Sequence, residues 1–152
     1  MPQSGMLRLT GFDHTRIAVS DLRRSREFYE KHLGLEVFVE TTPTRSDALD
    51  VIVTPGVAVS LVMGRVCGHI VELLQYDNVE VGALPPRPSL GAGGFSVTVS
   101  DIEQAWDLAD EAGITMSPRI MEVSGTRLFF IKDPDGANIE LSEYADGHHE
   151  EW

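Results

Sequence analysis

Hydrophobic and polar residues alternate along several short segments of the chain, and two stretches of helical spacing interrupt this alternation. The segment LRRSREFYEKHL repeats its apolar residues every three or four positions, which predicts a helix that begins after Asp21 and ends at Gly34. Strands are predicted around this helix where apolar and polar residues alternate, at 12–19, 35–42, 57–64 and 69–76. The first half is therefore predicted to follow the order βαβββ.

The second half of the chain repeats this order. The segment IEQAWDLADEAG predicts a helix that Asp101 caps at its N-terminus and Gly113 ends. The last two strands are expected to be joined by the turn sequence Asp133-Pro134-Asp135-Gly136. The predicted strands are 95–99, 114–123, 127–133 and 137–144.

Two short sequence matches relate the halves to each other. Val-Ser-Asp-Leu ends at residue 22 and Val-Ser-Asp-Ile at residue 102, an offset of 102 − 22 = 80 positions. ELLQY begins at residue 72 and ELSEY at residue 140, an offset of 140 − 72 = 68. An internal repeat predicts two copies of one structural unit. We therefore predict an α+β fold with two βαβββ modules in a single domain, 1–152. Its parts are a first module (12–78), a linker rich in Pro and Gly (79–93), a second module (94–144) and a tail (145–152).

The chain carries a formal net charge of -12, from 24 acidic and 12 basic residues. Such a charge repels nucleic acid and anionic membranes, so neither is expected as a partner. The single cysteine, Cys67, is expected to be buried and inert, and it fits a reducing compartment. The N-terminal residues show no apolar signal segment, and Pro55 interrupts the longest apolar stretch, 51–63. We therefore expect a cytoplasmic protein.

Strand alternation places polar side chains on one face of the first strand of each half and of the last strand. If the two modules pair, these faces could line a shared cleft, whereas a solvated sheet surface would show the same pattern. The side chains concerned are His14, Arg16, Ser96, Thr98, Glu140, Ser142 and Tyr144.

Three motifs resemble the vicinal oxygen chelate superfamily, which includes glyoxalases, bleomycin resistance proteins and extradiol dioxygenases. They are a histidine that opens a strand ending in Val-x-Asp-Leu, the segment FYEKHLGLEV, and the closing segment DPDGANIELSEY. The resemblance spans Phe12 to Tyr144. It implies paired βαβββ modules that form a U-shaped mixed sheet around a shared cleft, and it also implies a homodimer.

The resemblance places metal ligands on the first and last strand of each module, which here are the positions of His14, Glu72, Gly94 and Glu140. Gly94 has no ligand atom, so iron chemistry of the two-histidine extradiol type is disfavoured. The remaining three side chains suit a divalent ion such as Mn, Fe, Ni or Zn. Such an ion could polarise a substrate oxygen while Glu140 or Glu72 serves as the catalytic proton-transfer base.

We therefore expect a metal-dependent enzyme that acts on a small chelating oxygenated substrate by proton transfer, as an isomerase, epimerase or lyase. The side chains expected to bind the substrate are Arg16, Ser96, Thr98 and Tyr144. Arg16 could anchor a carboxylate or phosphate, or it could form an internal ion pair with Glu72 or Glu140. The alternative function is a metal-free protein that sequesters a small molecule, as bleomycin resistance proteins do, and the acidic charge would suit a cationic drug.

Overall fold

The computed structural model describes residues 11–45, 55–83 and 94–145. Most of the predicted linker and tail lie outside the described residues, as does segment 46–54, for which the sequence predicts no single element. Neither of the two helices in the described part is long and apolar enough to cross a bilayer. The elements are β1 (His14–Ala18), α1 (Leu22–Leu33), β2 (Glu36–Arg45), β3 (Ala58–Val66), β4 (His69–Tyr76), β5 (Phe95–Thr98), α2 (Ile102–Glu111), β6 (Met121–Val123), β7 (Thr126–Lys132) and β8 (Asn138–Tyr144).

The strands of each half form one four-stranded mixed sheet. The strand order is β1-β4-β3-β2 in the first sheet and β5-β8-β7-β6 in the second. In both sheets the first strand runs parallel to the last strand of the same half, and the other neighbours are antiparallel. Each half therefore contains strand, helix and three further strands, which confirms the predicted α+β fold of two βαβββ modules.

The parallel pairs of the two sheets share one register. Arg16 lies opposite Glu72, and Ser96 lies opposite Glu140. The residues on the first strands differ by 96 − 16 = 80 positions and the glutamates by 140 − 72 = 68, the offsets of the two sequence matches. The sequence repeat is therefore a repeat of strand register, and the two glutamates occupy equivalent places in their sheets.

Within the described residues the chain divides into two compact units. The first unit comprises the described residues as far as Leu22 together with Glu30–Val79, and the second comprises Arg23–Tyr29 together with the described residues from Glu80 onward. The division falls inside α1, so most of its N-terminal half belongs with the second sheet. Fully buried side chains include Val57, Val62 and Leu73 in the first unit and Tyr29, Ile102, Phe129 and Ile139 in the second.

A side chain from the last strand of each module caps the helix of that module. Gln75 Oε1 accepts the backbone N–H of Leu22 at 2.7 Å, and Glu143 Oε1 accepts that of Ile102 at 3.2 Å. The Asp101 carboxylate accepts a further N–H from the first turn of α2 at 2.9 Å, which confirms the predicted N-cap. These bonds satisfy backbone donors that the first turn of a helix leaves free, and they fix where each helix begins on its sheet.

The predicted turn at residues 133–136 is confirmed by a hydrogen bond from the backbone N–H of Gly136 to the carbonyl of Asp133. The Asp133 carboxylate is buried: its Oδ1 accepts the N–H groups of Asp135 and Ala137, and its Oδ2 accepts the Tyr29 hydroxyl at 3.1 Å. Burial raises the pKa of Asp133 and the pKa of Tyr29 above their ordinary values. The FYEKHL and DPDG motifs therefore meet in one buried hydrogen bond, which gives both motifs a structural role.

Two hairpins turn through residues with positive φ. Cys67 (φ 48°) and Gly68 (φ 83°) join β3 to β4, while Ser124 (φ 50°) and Gly125 (φ 80°) join β6 to β7. Positive φ at both central positions is typical of the two-residue type I′ turn. Cys67 is exposed because it lies at the tip of such a turn, so the expectation that this thiol is buried is wrong.

Candidate functional site

Three of the predicted site residues meet in the first unit. His14 and Arg16 point to the same side of β1, and Glu72 lies on β4 directly opposite Arg16. The Nε of Arg16 donates to Glu72 Oε1, and His14 Nε2 lies 3.4 Å from Glu72 Oε2. The Glu72 side chain is only 4% exposed, whereas that of Arg16 is 42% exposed. A buried carboxylate is thus held between a histidine and an arginine, and the ion pair between Arg16 and Glu72 is formed.

The other imidazole nitrogen of His14 also has a partner. Its Nδ1 lies 2.9 Å from Asp13 Oδ2. When Nδ1–H is donated to Asp13, a neutral imidazole leaves a lone pair on Nε2 that faces the Glu72 carboxylate. Two acceptor atoms at this distance repel each other unless a proton or a cation lies between them. Sequence reasoning missed Asp13, whose only signal is its position next to His14.

The donors of this cluster suit a metal ion. A nitrogen and an oxygen that each lie about 2.1 Å from a tetrahedral ion are about 3.4 Å apart, which matches the 3.4 Å between His14 Nε2 and Glu72 Oε2. A carboxylate on the far imidazole nitrogen is also the usual partner of a metal-binding histidine. The ion pair with Arg16 uses the other oxygen of Glu72. His14 Nε2 and Glu72 Oε2 therefore supply two ligand atoms that fit a divalent ion, and the described residues of the first unit add no third His, Cys, Asp or Glu ligand atom to them.

The second unit places Glu140 in the equivalent position with uncharged neighbours. Glu140 Oε1 accepts the hydroxyl of Ser142 at 2.8 Å and that of Ser96 at 3.2 Å, and Ser142 is fully buried. Within residues 11–45, 55–83 and 94–145, no side chain or backbone group donates to Glu140 Oε2. The sheet therefore fixes one oxygen of this carboxylate and leaves the other available. Because Glu140 lies in the second unit and His14 and Glu72 lie in the first, the three-ligand set stays a prediction.

Gly94 precedes β5, at the position that matches His14 in the first module. A Cβ atom at Gly94 would lie 2.6 Å from the backbone carbonyl oxygen of Asn138, closer than real Cβ contacts come. The backbone of the neighbouring strand therefore occupies the space that a ligand side chain at position 94 would need, in agreement with the glycine found there.

Thr98 and Tyr144 share the sheet face of Ser96 and Glu140. Thr98 lies opposite Ser142 in the parallel pair and is exposed at the end of β5, while Tyr144 is half-buried at the end of β8. Neither residue has a described hydrogen bond to the Glu140 carboxylate. Their predicted role in substrate binding therefore stays a prediction that rests on the shared face.

A second acidic group, which sequence reasoning missed, lies at the N-terminus of α2. Carboxylate oxygens of Asp101, Glu103 and Glu143 lie within 4.8 Å of one another. Arg127 forms ion pairs with Glu103 and Glu143, and these contacts lower the pKa of Glu103 and raise the pKa of Arg127. Asp101 and Glu143 also accept backbone N–H groups of the helix. These contacts give the acidic group a structural role, because they attach α2 to its sheet.

The chain is similar to proteins of one superfamily, both in sequence and in fold. The sequence model of the Glyoxalase/Bleomycin resistance protein/Dioxygenase superfamily matches residues 11–141. A Vibrio cholerae protein named "Probable lactoylglutathione lyase" is 26% identical over 137 residues, which cover 89% of this chain and 91% of that protein. The "Glutathione transferase FosA" of Serratia marcescens is 26% identical over 133 residues, 88% of this chain and 80% of that protein. The crystal structure of a glyoxalase family protein from Enterococcus faecalis superimposes with a TM-score of 0.69 at 26% identity, covering 88% of this chain and 98% of that one.

Proposed function

Because the chain belongs to the Glyoxalase/Bleomycin resistance protein/Dioxygenase superfamily, we propose that it is a metal-dependent enzyme acting on a small chelating oxygenated substrate by proton transfer. The reaction would be an isomerisation, an epimerisation or a lyase reaction. The observation that carries the proposal is the pairing of His14 Nε2 with Glu72 Oε2 at 3.4 Å, with Asp13 on the opposite side of the imidazole.

His14 and Glu72 are the proposed metal ligands of the first unit. A nitrogen and a carboxylate oxygen suit Mn, Fe, Ni or Zn, and Asp13 would fix the imidazole tautomer that leaves Nε2 free to bind. Glu140 is the proposed third ligand, on the basis of the family resemblance and of its equivalent register. Three protein ligands would leave coordination positions for a substrate with two neighbouring oxygens.

Glu140 is also the proposed proton-transfer base. When bound, the metal would supply Lewis-acid polarisation of a substrate oxygen, which acidifies the neighbouring C–H. Glu140 would take that proton and return it to the same or the adjacent carbon. Ser142 and Ser96 hold Oε1 of the carboxylate, so Oε2 would serve both roles, as a ligand before the substrate binds and as the base once the substrate displaces it. Glu72, whose charge Arg16 balances, would serve as ligand more than as base.

Two relatives have glutathione in their names, which suggests a glutathione thioester as the first probe. Protein stripped with chelator is reloaded with Mn, Fe, Ni or Zn and mixed with S-lactoylglutathione in D₂O, and proton NMR follows the lactoyl α-proton. The proposal expects exchange of this proton by the reloaded protein and none by Glu140→Gln. The matched control is Glu122→Gln, an exposed residue of β6, which should keep full exchange. Exchange that is equal in the native protein and in Glu140→Gln would count against Glu140 as the base.

A second candidate function is a metal-free protein that binds and sequesters a small molecule. The observation that favours it is the ion pair of Arg16 with Glu72, which balances the buried carboxylate without any metal. Binding of a cationic drug such as bleomycin by chelator-stripped protein, with no uptake of added metal, would favour this function over the enzyme.

Three further parts of the proposal concern the setting of the site. We propose module boundaries at 12–78 and 94–144, a homodimer, and a cytoplasmic location. Light scattering of the purified protein tests the dimer, because a monomer at working concentration would contradict it.

A further inference from the structure

The Arg16 guanidinium has an inner edge and an outer edge with different surroundings. On the inner edge, Nε donates to the buried Glu72 carboxylate. Within residues 11–45, 55–83 and 94–145, no group accepts a hydrogen bond from the two Nη nitrogens of Arg16. The side chain is 42% exposed while that of Glu72 is 4% exposed, so the outer edge is the part of the pair that solvent reaches. Four of the five N–H groups of a guanidinium belong to the Nη nitrogens.

We infer that this outer edge binds an oxyanion of the substrate, so that the substrate class is an oxygenated compound with a carboxylate, phosphonate or phosphate group. Two parallel N–H groups match two oxygens of such a group and form a bidentate pair. The bond to Glu72 holds the guanidinium in place, so less freedom is lost when the anion binds. The inference rests on the proposed function, because it names the substrate class of the same site.

Arg16 differs in charge from the residue at the equivalent position of the second module. Ser96 occupies that place, donates to Glu140 and carries no charge. A cation is therefore present on only one of the two equivalent strand positions. The chain as a whole carries 24 acidic against 12 basic residues, so a half-exposed guanidinium beside the proposed metal ligands is a local exception to its charge. Because Glu72 offsets the charge of Arg16, an anionic group would be held here by the N–H donors of the outer edge and not by a net positive charge.

The test is titration calorimetry with inorganic phosphate, methylphosphonate and malonate on the full chain, first stripped of metal and then reloaded with Mn or Zn. Phosphate and methylphosphonate report phosphorus oxyanions, and malonate reports carboxylates. Arg16→Lys keeps the charge and loses the fork, so the probe that binds best should bind about tenfold more weakly, as expected for one lost charge-assisted hydrogen bond. Arg23→Gln, which removes an exposed arginine elsewhere in the chain, is the charge control and should leave the affinity unchanged.

A second variant keeps the test valid if loss of the arginine destabilises the fold. Arg16→Gln/Glu72→Gln removes both charges of the pair, and it should remain folded by circular dichroism while losing probe binding to the stripped protein. Equal dissociation constants for native protein and Arg16→Lys, or no binding of any probe to either form of native protein, overturn the inference. If the chain takes up metal and Arg16→Lys binds the probes as tightly as native protein does, this inference alone is overturned. Probe binding that needs Arg16, in a chain that takes up no metal, overturns the proposed enzyme alone.

Discussion

Arg16 and Glu72 lie opposite each other in the parallel pair β1–β4, and the guanidinium of the first holds the buried carboxylate of the second. The equivalent pair of the second sheet is Ser96 and Glu140, joined by a neutral hydroxyl at 3.2 Å. One register thus supports two different sites. The first has a charged carboxylate with a partner on each oxygen, and the second has a carboxylate with one oxygen free. We propose that the first pair binds metal and anion, and that Glu140 of the second pair is both the third metal ligand and the proton-transfer base.

Removal of the arginine should destabilise the protein through the charge it leaves behind. In protein stripped of metal, Arg16→Gln leaves Glu72 buried without its cation, which should lower the free energy of unfolding by about 1–3 kcal/mol after allowance for the exposure of Arg16. Urea denaturation at neutral pH measures the change. Arg16→Gln/Glu72→Gln should recover most of the loss because no charge is left buried. If the double variant is no more stable than the single one, the ion pair is not the cause.

A side chain at position 94 should be costly. Gly94→Ala places a Cβ 2.6 Å from the Asn138 carbonyl oxygen, so the strands must shift. We expect a loss of about 1–3 kcal/mol in the free energy of unfolding. Gly94→His should show the same loss and no gain in metal affinity. Gly82→Ala is the control, because no atom of the described residues lies within 4 Å of its added Cβ. Equal stability of the two alanine variants would mean that the Asn138 carbonyl leaves room for a Cβ at position 94.

Ser25 offers a stabilising substitution. Its side chain is fully buried in α1, and its hydroxyl has no hydrogen-bond partner within the described residues. Ser25→Ala removes an unsatisfied polar group and improves helix propensity, so the free energy of unfolding should rise by about 1 kcal/mol. Ser142→Ala is the contrasting variant, because that equally buried hydroxyl donates to Glu140. Thermal melting should therefore shift upward for Ser25→Ala and downward for Ser142→Ala.

The buried Asp133 carboxyl should give stability a defined dependence on pH. Burial raises its pKa in the folded state, so the folded protein keeps this proton to a higher pH than the unfolded chain, whose aspartate has a pKa of about 3.9. The unfolded chain binds fewer protons in that interval, and the contribution of Asp133 to stability falls as pH rises from ~3.9 through the folded pKa.

Asp133→Asn removes this titration while its amide oxygen can still accept the N–H groups of Asp135 and Ala137. The difference in unfolding free energy between the variant and the native protein should therefore shift in favour of the variant as pH rises from 4 to 7. Urea denaturation at each pH measures it. A difference that stays constant across this range would mean that Asp133 titrates equally in the folded and unfolded states.

Short-range signals made most of the fold predictable from sequence. Alternation and helical spacing predicted both modules, Asp101 predicted the N-cap, and the DPDG segment predicted its turn. The two sequence offsets anticipated the register that places Glu72 and Glu140 in equivalent positions. These features depend on residues that are close in sequence, or on a repeat that can be seen without a structure.

Features that depend on contacts between distant strands could not be predicted. Sequence reasoning noted Gly94 only as a missing ligand, because the close approach of the Asn138 carbonyl depends on how β8 lies beside β5. The caps from Gln75 and Glu143 join residues 53 and 41 positions apart. The ion pair of Arg16 with Glu72 was one of several possibilities until the register was known. The sequence therefore predicts which residues belong to the site more readily than it predicts which partner each of their side chains contacts.

The metal content of the purified protein is the first test of the proposed metal site. Untagged protein purified without chelators is analysed by elemental mass spectrometry, alongside His14→Gln, Glu140→Gln and the exposed-site control Glu122→Gln. We expect stoichiometric Mn, Fe, Ni or Zn in the native protein and in Glu122→Gln, and loss of most of that metal in the two ligand variants. Native protein that is free of metal and takes up none of these four ions when they are added would contradict a metal-dependent site at His14 and Glu72.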